Sequence, residues 1–433
     1  MNYIYYKNIE VKKIKYYLII FYYLTLLVSF FFGEDLLGSA KKDFYQTTLT
    51  ISQLFNENFL YTLLNYDEAG GRHSPVFFIL LSGLLALEFN EVFLRFVFLN
   101  INLLTIIFFY RSLKLKFNNI NKDILFILSL FLIISPTLRS YAIWPDSFNV
   151  GLMFFTISIY HFLKFKKKNS QKSVYLNVIY YAISAYFSPN FSVFSIYFLY
   201  QYCFSKKIKT QTKFIILFLN LFLAAPALYY IFFMGINFFH FNENVYGYEE
   251  NIFSVNNLSN KLIILPTLIF FYFFPILILN SIQDFNKNLN RNLVFLFFSI
   301  LVVLTLSDSF TYHVPAEFLG GGGIFYKISI LLFKNNIFLF IVSIISIFII
   351  LNFLLRTLDH ILILILVFFS IPQLSIYHAY YDPLLFLLFF LIFDIMKREF
   401  FNFNKIWLFK SYLLIFYLLS LFKQNLSNLL MSI

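Results

Sequence analysis

Apolar runs recur along this chain from end to end, and they constrain its fold more than any other feature. Many extend for roughly 15–20 residues, close to the ~20 an α-helix needs to cross a bilayer core. The sequence is 60% hydrophobic and only 12% charged, against about half and about a quarter in soluble domains. A transmembrane barrel would show short alternating segments instead. The expected fold is therefore all-α: a polytopic transmembrane helical bundle of about 11–13 spans. The 65 Phe and 32 Tyr beside only 12 Gly read partly as AT-rich codon bias. Aromatic abundance alone therefore marks no binding site. The single cysteine, Cys203, has no partner for an internal disulfide.

The net charge of +12 is carried by short Lys/Arg clusters between apolar runs. That pattern is membrane topology rather than a nucleic-acid surface, and no nucleic-acid partner is expected. Lys7, Lys12, Lys13 and Lys15 place the N-terminus inside, before a first span at 16–32. No small-residue cleavage site follows, so this span is read as retained. The long polar interval 33–74 is then outside. Pro75–Leu87 is an apolar piece of about 13 residues, which suits a re-entrant or interfacial segment. If it does not cross, Val92–Tyr110 returns inward and Arg111, Lys114, Lys116 and Lys122 lie inside, in line with the positive-inside bias.

The same logic sends Asp123–Leu138 out and brings Ser147–Leu163 in, ending at KFKKK. Val174–Phe187 and Phe191–Phe204 form a hairpin broken at Ser188-Pro189-Asn190. Two regions emerge: an N-terminal module 1–205 with its outer loop 33–74, and C-terminal helices 206–433 with outer loops 235–261, 307–336 and 373–383. Most of the 33 Lys and Arg fall inside, and most acids fall outside. Span interiors read as nearly free of charge. Acids do not set topology, so their excess outside reflects either a catalytic surface or plain solvation of loops.

The first loop is the richest stretch. It carries Glu34, Asp35, Asp43, Glu57, Asp67 and Glu68, with Arg72 and His73 at its far end. After Asp43 the order Phe44, Leu49, Leu54, Phe55 suits an amphipathic helix lying in the interface. A carboxylate there can meet both a water-borne acceptor and a lipid head group. Transfer of a sugar from a lipid phosphate needs a general base for the acceptor proton and positive charge for the departing phosphate. Asp43, or the Glu34-Asp35 pair, could supply the first, and Arg72 with His73 the second.

A second motif is RSYAIWPDSF. Pro145-Asp146 fits a helix start with an N-terminal acid, so Asp146 is either a cap or part of an acidic site. Arg139 is either a phosphate ligand or a snorkelling anchor. In the second half, Gly320–Gly323 lie between His313 and Lys327 and could form a mobile lid or approach a phosphate. His378 and Asp382, in YHAYYDP, could line the same side or belong to an aromatic belt. No His pair shows metal-ligand spacing on one helix. No cofactor is required, though a divalent cation at the acids would be compatible with the chemistry.

The order of these features resembles the GT-C superfamily of polytopic glycosyltransferases. Protein O-mannosyltransferases, lipid A aminoarabinose transferases and oligosaccharyltransferase catalytic subunits belong to it. The matching pieces are Asp43-Phe44-Tyr45, His73-Ser74-Pro75, Phe93-Leu94-Arg95, Ser135-Pro136 and Pro145-Asp146, over roughly residues 16–205. The family's Asp-Glu pair is here Asp-Phe, with Glu34-Asp35 nearby, and Ser74 stands for the first Pro of the entry motif. The resemblance implies a polyprenyl-phosphate sugar donor and a glycan or lipid acceptor. It gives Asp43 the role of catalytic acid/base and makes Asp146 the second-loop acid. With the bacterial source that the composition suggests, the expected location is a bacterial inner (plasma) membrane with the site facing the periplasm or outside. A lipid-linked-sugar flippase without chemistry and a polysaccharide polymerase are the rivals. The topology predicts that alkaline phosphatase fused after Phe59 is active, and inactive when fused after Lys168. The reverse pattern would overturn the charge argument.

Overall fold

The computed structural model describes residues 2–37, 39–69, 74–233, 255–284, 289–312, 321–353, 357–371, 376–393, 401 and 403–431. Arg72, His73 and His313 lie outside the described residues. The described chain is helical, with no strand.

Two compact units divide the chain: residues 1–238 with 401–433, and residues 239–400. The last helix thus joins the N-terminal unit, which the sequence division at 205 did not anticipate.

The first unit opens with α1 (Asn2–Phe32). The polar interval then folds into α2 (Ala40–Asp43), a π-helical turn (Phe44–Leu49), α3 (Thr50–Glu57) and α4 (Phe59–Leu64). It is followed by α5 (Val76–Ala86) and α6 (Glu91–Lys116). A broken segment comes next: α7 (Lys122–Ser129), a 3-10 turn (Leu130–Ile134) and α8 (Pro136–Ile143). Then come α9 (Ser147–Lys168), α10 (Gln171–Phe187), a 3-10 turn (Pro189–Phe194), α11 (Ser195–Cys203) and α12 (Thr210–Phe233). In the second unit are α13 (Val255–Asp284), α14 (Leu289–Ser307), α15 (Gly323–Ile328), α16 (Ile337–Phe353), α17 (Leu358–Ser370) and α18 (His378–Leu391). Finally α19 (Phe403–Met431) completes the first unit.

Among the described residues six helices are long and apolar enough to cross a membrane: Glu91–Lys116, Ser147–Lys168, Thr210–Phe233, Val255–Leu277, Asn290–Ser307 and Asn404–Gln424. The chain is a multi-pass membrane protein on that ground. The broken segment makes a seventh span if counted as one. Higher counts need the shorter apolar helices to cross as well. α5 has 11 residues, about 16 Å of helix, half the ~30 Å of a hydrocarbon core. Its length fits the non-crossing reading of Pro75–Leu87.

Local chemistry sets the breaks. Asn90, Asn121 and Ser135 each cap the helix that follows, accepting from the backbone N–H of Phe93, Asp123 and Leu138, as short polar side chains at helix starts do. The single span expected over 123–138 is instead bent by 68° between Ile134 and Pro136. The cause is Pro136, which disfavours helix at Ser135; Ser135 is extended, at φ −63° and ψ 122°.

Membrane helices associate where small residues let backbones approach. Gly151 of α9 is such a place. Ser184 Oγ of α10 donates to its carbonyl at 2.7 Å, and a Cβ on Gly151 would lie 3.0 Å from Phe191. The polar interval is not left at the surface. Ile51 and Phe55 of α3, and Phe77, Phe78 and Leu81 of α5, join Phe98, Val150, Met153 and Phe187 in one buried cluster. Burying each such side chain contributes about 1.5–3 kcal/mol where the reference is water.

In the second unit the glycine run is a packing device. Gly322 and Gly323 have φ of +75° and +77°, the left-handed region that favours glycine. A Cβ on Gly322 would fall within 2.8 Å of the Tyr312 ring. Gly322→Ala is therefore predicted to cost about 1–3 kcal/mol, read as a lower thermal midpoint in detergent, while Gly83→Ala, inside α5 with nothing within 4 Å of the added Cβ, is predicted to hold or slightly raise it.

Candidate functional site

The two loop motifs singled out in the sequence meet in the first unit. α1 ends at Phe32, and Gly33 turns the chain with φ +64°, so Glu34 folds back beneath the helix end. Its backbone N–H reaches Ser29 O at 2.9 Å. The Glu34 carboxylate then receives Arg139 through two bonds, Nε to Oε1 at 2.9 Å and Nη2 to Oε2 at 3.2 Å. Ser29 bridges the two, donating to Glu34 Oε2 and accepting from Arg139 Nη2. Tyr417 OH of α19 adds a bond to Glu34 Oε2 at 3.3 Å, and the guanidinium lies 4.8 Å from the Tyr417 ring centroid. Arg139 is 1% exposed and Glu34 8%.

The bend at Pro136 makes this geometry available. It frees carbonyls at the end of the preceding turn, and Arg139 Nη1 donates to Ile133 O at 3.4 Å. Arg139 Nη2 also reaches Thr25 O at 3.2 Å. The guanidinium is thus spread over a carboxylate, a hydroxyl and backbone carbonyls. In this arrangement the Glu34 carboxylate and the Arg139 guanidinium are bonded chiefly to each other and to Ser29.

Two more bonds tie the loop to the second motif, and a third closes the loop on itself. Trp144 Nε1 donates to Glu34 O at 3.1 Å, and Leu36 N to Ser140 Oγ at 3.0 Å. Lys41 N donates to Asp35 Oδ2 at 3.0 Å, so buried Asp35 closes the turn into α2. Trp144 is the hub. Arg95 lies 3.7 Å over its ring and donates Nε to Ile143 O at 3.0 Å. Phe44 and Tyr45 approach its ring at 6.0 and 5.8 Å, and Lys41 Nζ lies 5.6 Å from it. Such cation–π contacts contribute about 0.5–2 kcal/mol each.

Asp43 sits at the exposed end of α2, beside exposed Lys41 and Lys42. The π-helical turn begins with the next residue; such turns occur often at functional sites. Asp146 caps α9, accepting from Phe148 N at 2.7 Å. It lies between the flanking spans, and burial pushes its carboxyl up to about 6 from the ordinary 3.8 while the Phe148 N–H opposes the shift. Asp146 is therefore a helix cap whose carboxyl burial raises to about 6.

Residues of the second unit form a separate cluster. Tyr272 OH and His378 Nδ1 are 2.5 Å apart, and His378 Nε2 faces the Gly323 turn. Lys327 is half-buried in α15, and Asp382 is buried within α18. Among the described residues no group of three His, Cys, Asp or Glu gathers as metal ligands would, and no step below is routed through a cation.

The structure departs from the nearly charge-free interiors read in the sequence: Arg95, Lys261 and Lys410 are buried inside candidate spans, and Lys261 Nζ donates to Ile371 O at 2.7 Å. Lys410 Nζ finds no hydrogen-bond acceptor among the described residues and rests 4.7 Å from Tyr22 and 5.2 Å from Trp407. Sequence reasoning also missed Ser29, Ser140 and Tyr417, which carry no local signal. Trp144, one of only two tryptophans, was the one visible clue.

Comparison with protein-family profiles, with curated proteins and with solved structures returns no match.

Asp146 yields a pH prediction with a definite sign. Its raised value means the folded state holds a proton that the unfolded chain releases between about pH 4 and 6. Stability from this group therefore falls as pH rises through that window, by up to roughly 3 kcal/mol. Asp146→Asn keeps a good cap and removes the slope. Its thermal midpoint relative to wild type should rise from pH 4 to pH 7; a pH-independent difference would contradict the burial argument.

Proposed function

We propose that this chain is an integral-membrane glycosyltransferase. It takes a sugar from a polyprenyl-phosphate donor and passes it to a cell-envelope glycan or lipid on the outer face of a bacterial plasma membrane, with its N-terminus inside. The observation that carries this reading is the junction of two acid-bearing motifs. Asp43 precedes Phe44 and Tyr45, which pack on Trp144, and Asp146 follows Trp144 by two residues. An exposed carboxylate, exposed lysines and a second acid with a raised pKa thus share one aromatic platform.

Asp43 is the group placed to take the acceptor proton. The acceptor oxygen attacks the anomeric carbon, the bond from that carbon to the phosphate oxygen breaks, and the phosphate leaves with the electron pair. The configuration inverts. Lys41 and Lys42 stand beside Asp43 to meet the phosphate charge; Arg72 and His73, which lie outside the described residues, are the further phosphate ligands of this reading. Asp146 completes the acidic side.

Lys410 favours a second reading. An ionisable group buried inside a span marks a transport pathway in many membrane proteins, and a lipid-linked-sugar flippase would use it without chemistry. The two readings part in one assay. Membranes or vesicles containing the chain are given a panel of labelled polyprenyl-phosphate hexoses and pentoses with envelope acceptors. The glycosyltransferase reading predicts label on the acceptor, lost by at least about 100-fold in Asp43→Asn, a loss typical of general-base removal, and reduced in Asp146→Asn. Full transfer in Asp43→Asn, Glu34→Gln and Asp146→Asn alike would sink this mechanism. Donor translocation without transfer, abolished in Lys410→Met, would establish the flippase instead.

A further inference from the structure

Two groups that the motif order offers as catalytic acid and phosphate ligand are already committed to each other. Glu34 takes two bonds from Arg139, one from Ser29 and one from Tyr417. Arg139 is shared among Glu34, Ser29, Thr25 and Ile133. A carboxylate so fully bonded has its lone pairs occupied by protein donors and offers no open face to an acceptor hydroxyl. A bidentate, buried guanidinium is likewise not open to a phosphate arriving from solvent.

The pair stands where the loop enters. Glu34 is the first residue after the α1 turn, and its own carbonyl accepts Trp144 Nε1. Leu36 is tied to Ser140, one residue from Arg139. Asp35 then ties to Lys41 N, at the start of the short helix that ends in Asp43. The chain from 34 to 41 is thus pinned to 139–144 at three points.

We propose that Glu34 and Arg139 are positioning residues: their buried pair docks the first loop on the Trp144 platform and so sets where Asp43 stands relative to Asp146. The proposal rests on the transferase reading for its catalytic consequence, but the docking itself is independent of that reading. It predicts a specific pattern. Removing one charge strands the other in a buried site, whereas removing both does not. The double variant therefore recovers what each single variant loses. A base or a phosphate ligand has no such rescue.

Trp144 reports the docking. The chain has two tryptophans, and Trp407 lies on α19 about 15 Å along the helix from Tyr417, so Trp407→Phe leaves Trp144 as the sole tryptophan, excited selectively at the red edge where tyrosine does not absorb. In that background Glu34→Gln and Arg139→Gln should each shift Trp144 emission to the red and raise its acrylamide quenching about twofold or more, with Glu34→Gln/Arg139→Gln returning most of the way. Transfer measured on the same proteins should lose at least about tenfold in kcat in each single variant, with donor KM within about threefold and partial recovery in the double. Asp43→Asn should leave Trp144 emission unchanged.

Should the single variants fail to fold, Ser140→Ala and Tyr417→Phe remove only a neutral hydroxyl each, the one that accepts from Leu36 N and the one that donates to Glu34, and should give smaller shifts in the same direction. Unchanged Trp144 emission in all four variants overturns the proposal. So does a double variant as inactive as Glu34→Gln, which would make Glu34 the base, or a tenfold rise in donor KM confined to Arg139→Gln, which would make Arg139 a phosphate ligand. If wild type transfers nothing, the transferase reading fails, and Trp144 emission alone decides the docking.

Discussion

The first unit depends on one buried ion pair. Removing either partner of such a pair costs about 3–5 kcal/mol, because the other is left charged and unpaired. Glu34 and Arg139 avoid that cost through completeness. Ser29, Thr25, Ile133 and Tyr417 satisfy what remains of the guanidinium and the carboxylate. The partners come from α1, the first loop, the broken segment and α19. A single pair therefore joins segments more than 380 residues apart in sequence, as the Tyr417 bond to Glu34 shows.

The bend at Pro136 is the condition for that pair. An unbroken helix would satisfy its carbonyls internally and would carry position 139 onward along a straight axis. The proline breaks the ladder, the Ser135 cap restarts it, and Arg139 lands one turn into the new helix, within reach of the carbonyl of Ile133. The same short helix delivers Trp144 and then Asp146. Sequence-local chemistry at Ser135-Pro136 thus sets the placement of two candidate site residues.

The aromatic platform follows from the pair in turn. Once Glu34 is fixed, Trp144 has an acceptor for its ring N–H, and its faces are free to take Arg95 and the aromatic residues after Asp43. The loop is held by polar bonds at its entry and by apolar packing farther on, where Ile51, Phe55, Phe77 and Phe78 enter the bundle core. Asp43 lies between these two anchors, exposed on a short helix that neither anchor buries.

Much of this fold was legible in the residues alone. Runs of apolar sequence near bilayer length impose helices, because lipid offers no partner for an open backbone. Pro145-Asp146 marked the helix start at 146 and length marked the short segment 75–87, whereas the break at 135–136 lay inside what read as a single span. The importance of the first loop and of RSYAIWPD was visible from their polarity against that background. What only the tertiary structure decided was which charges face each other. Glu34 and Arg139 are separated by 105 residues, and no local period links them. Their pairing arises where a helix end, a proline bend and the final helix converge. The glycine run shows the same limit: its permissive backbone was evident, but whether it served a ligand or close packing depended on where the rings of Tyr312 and Tyr326 lie.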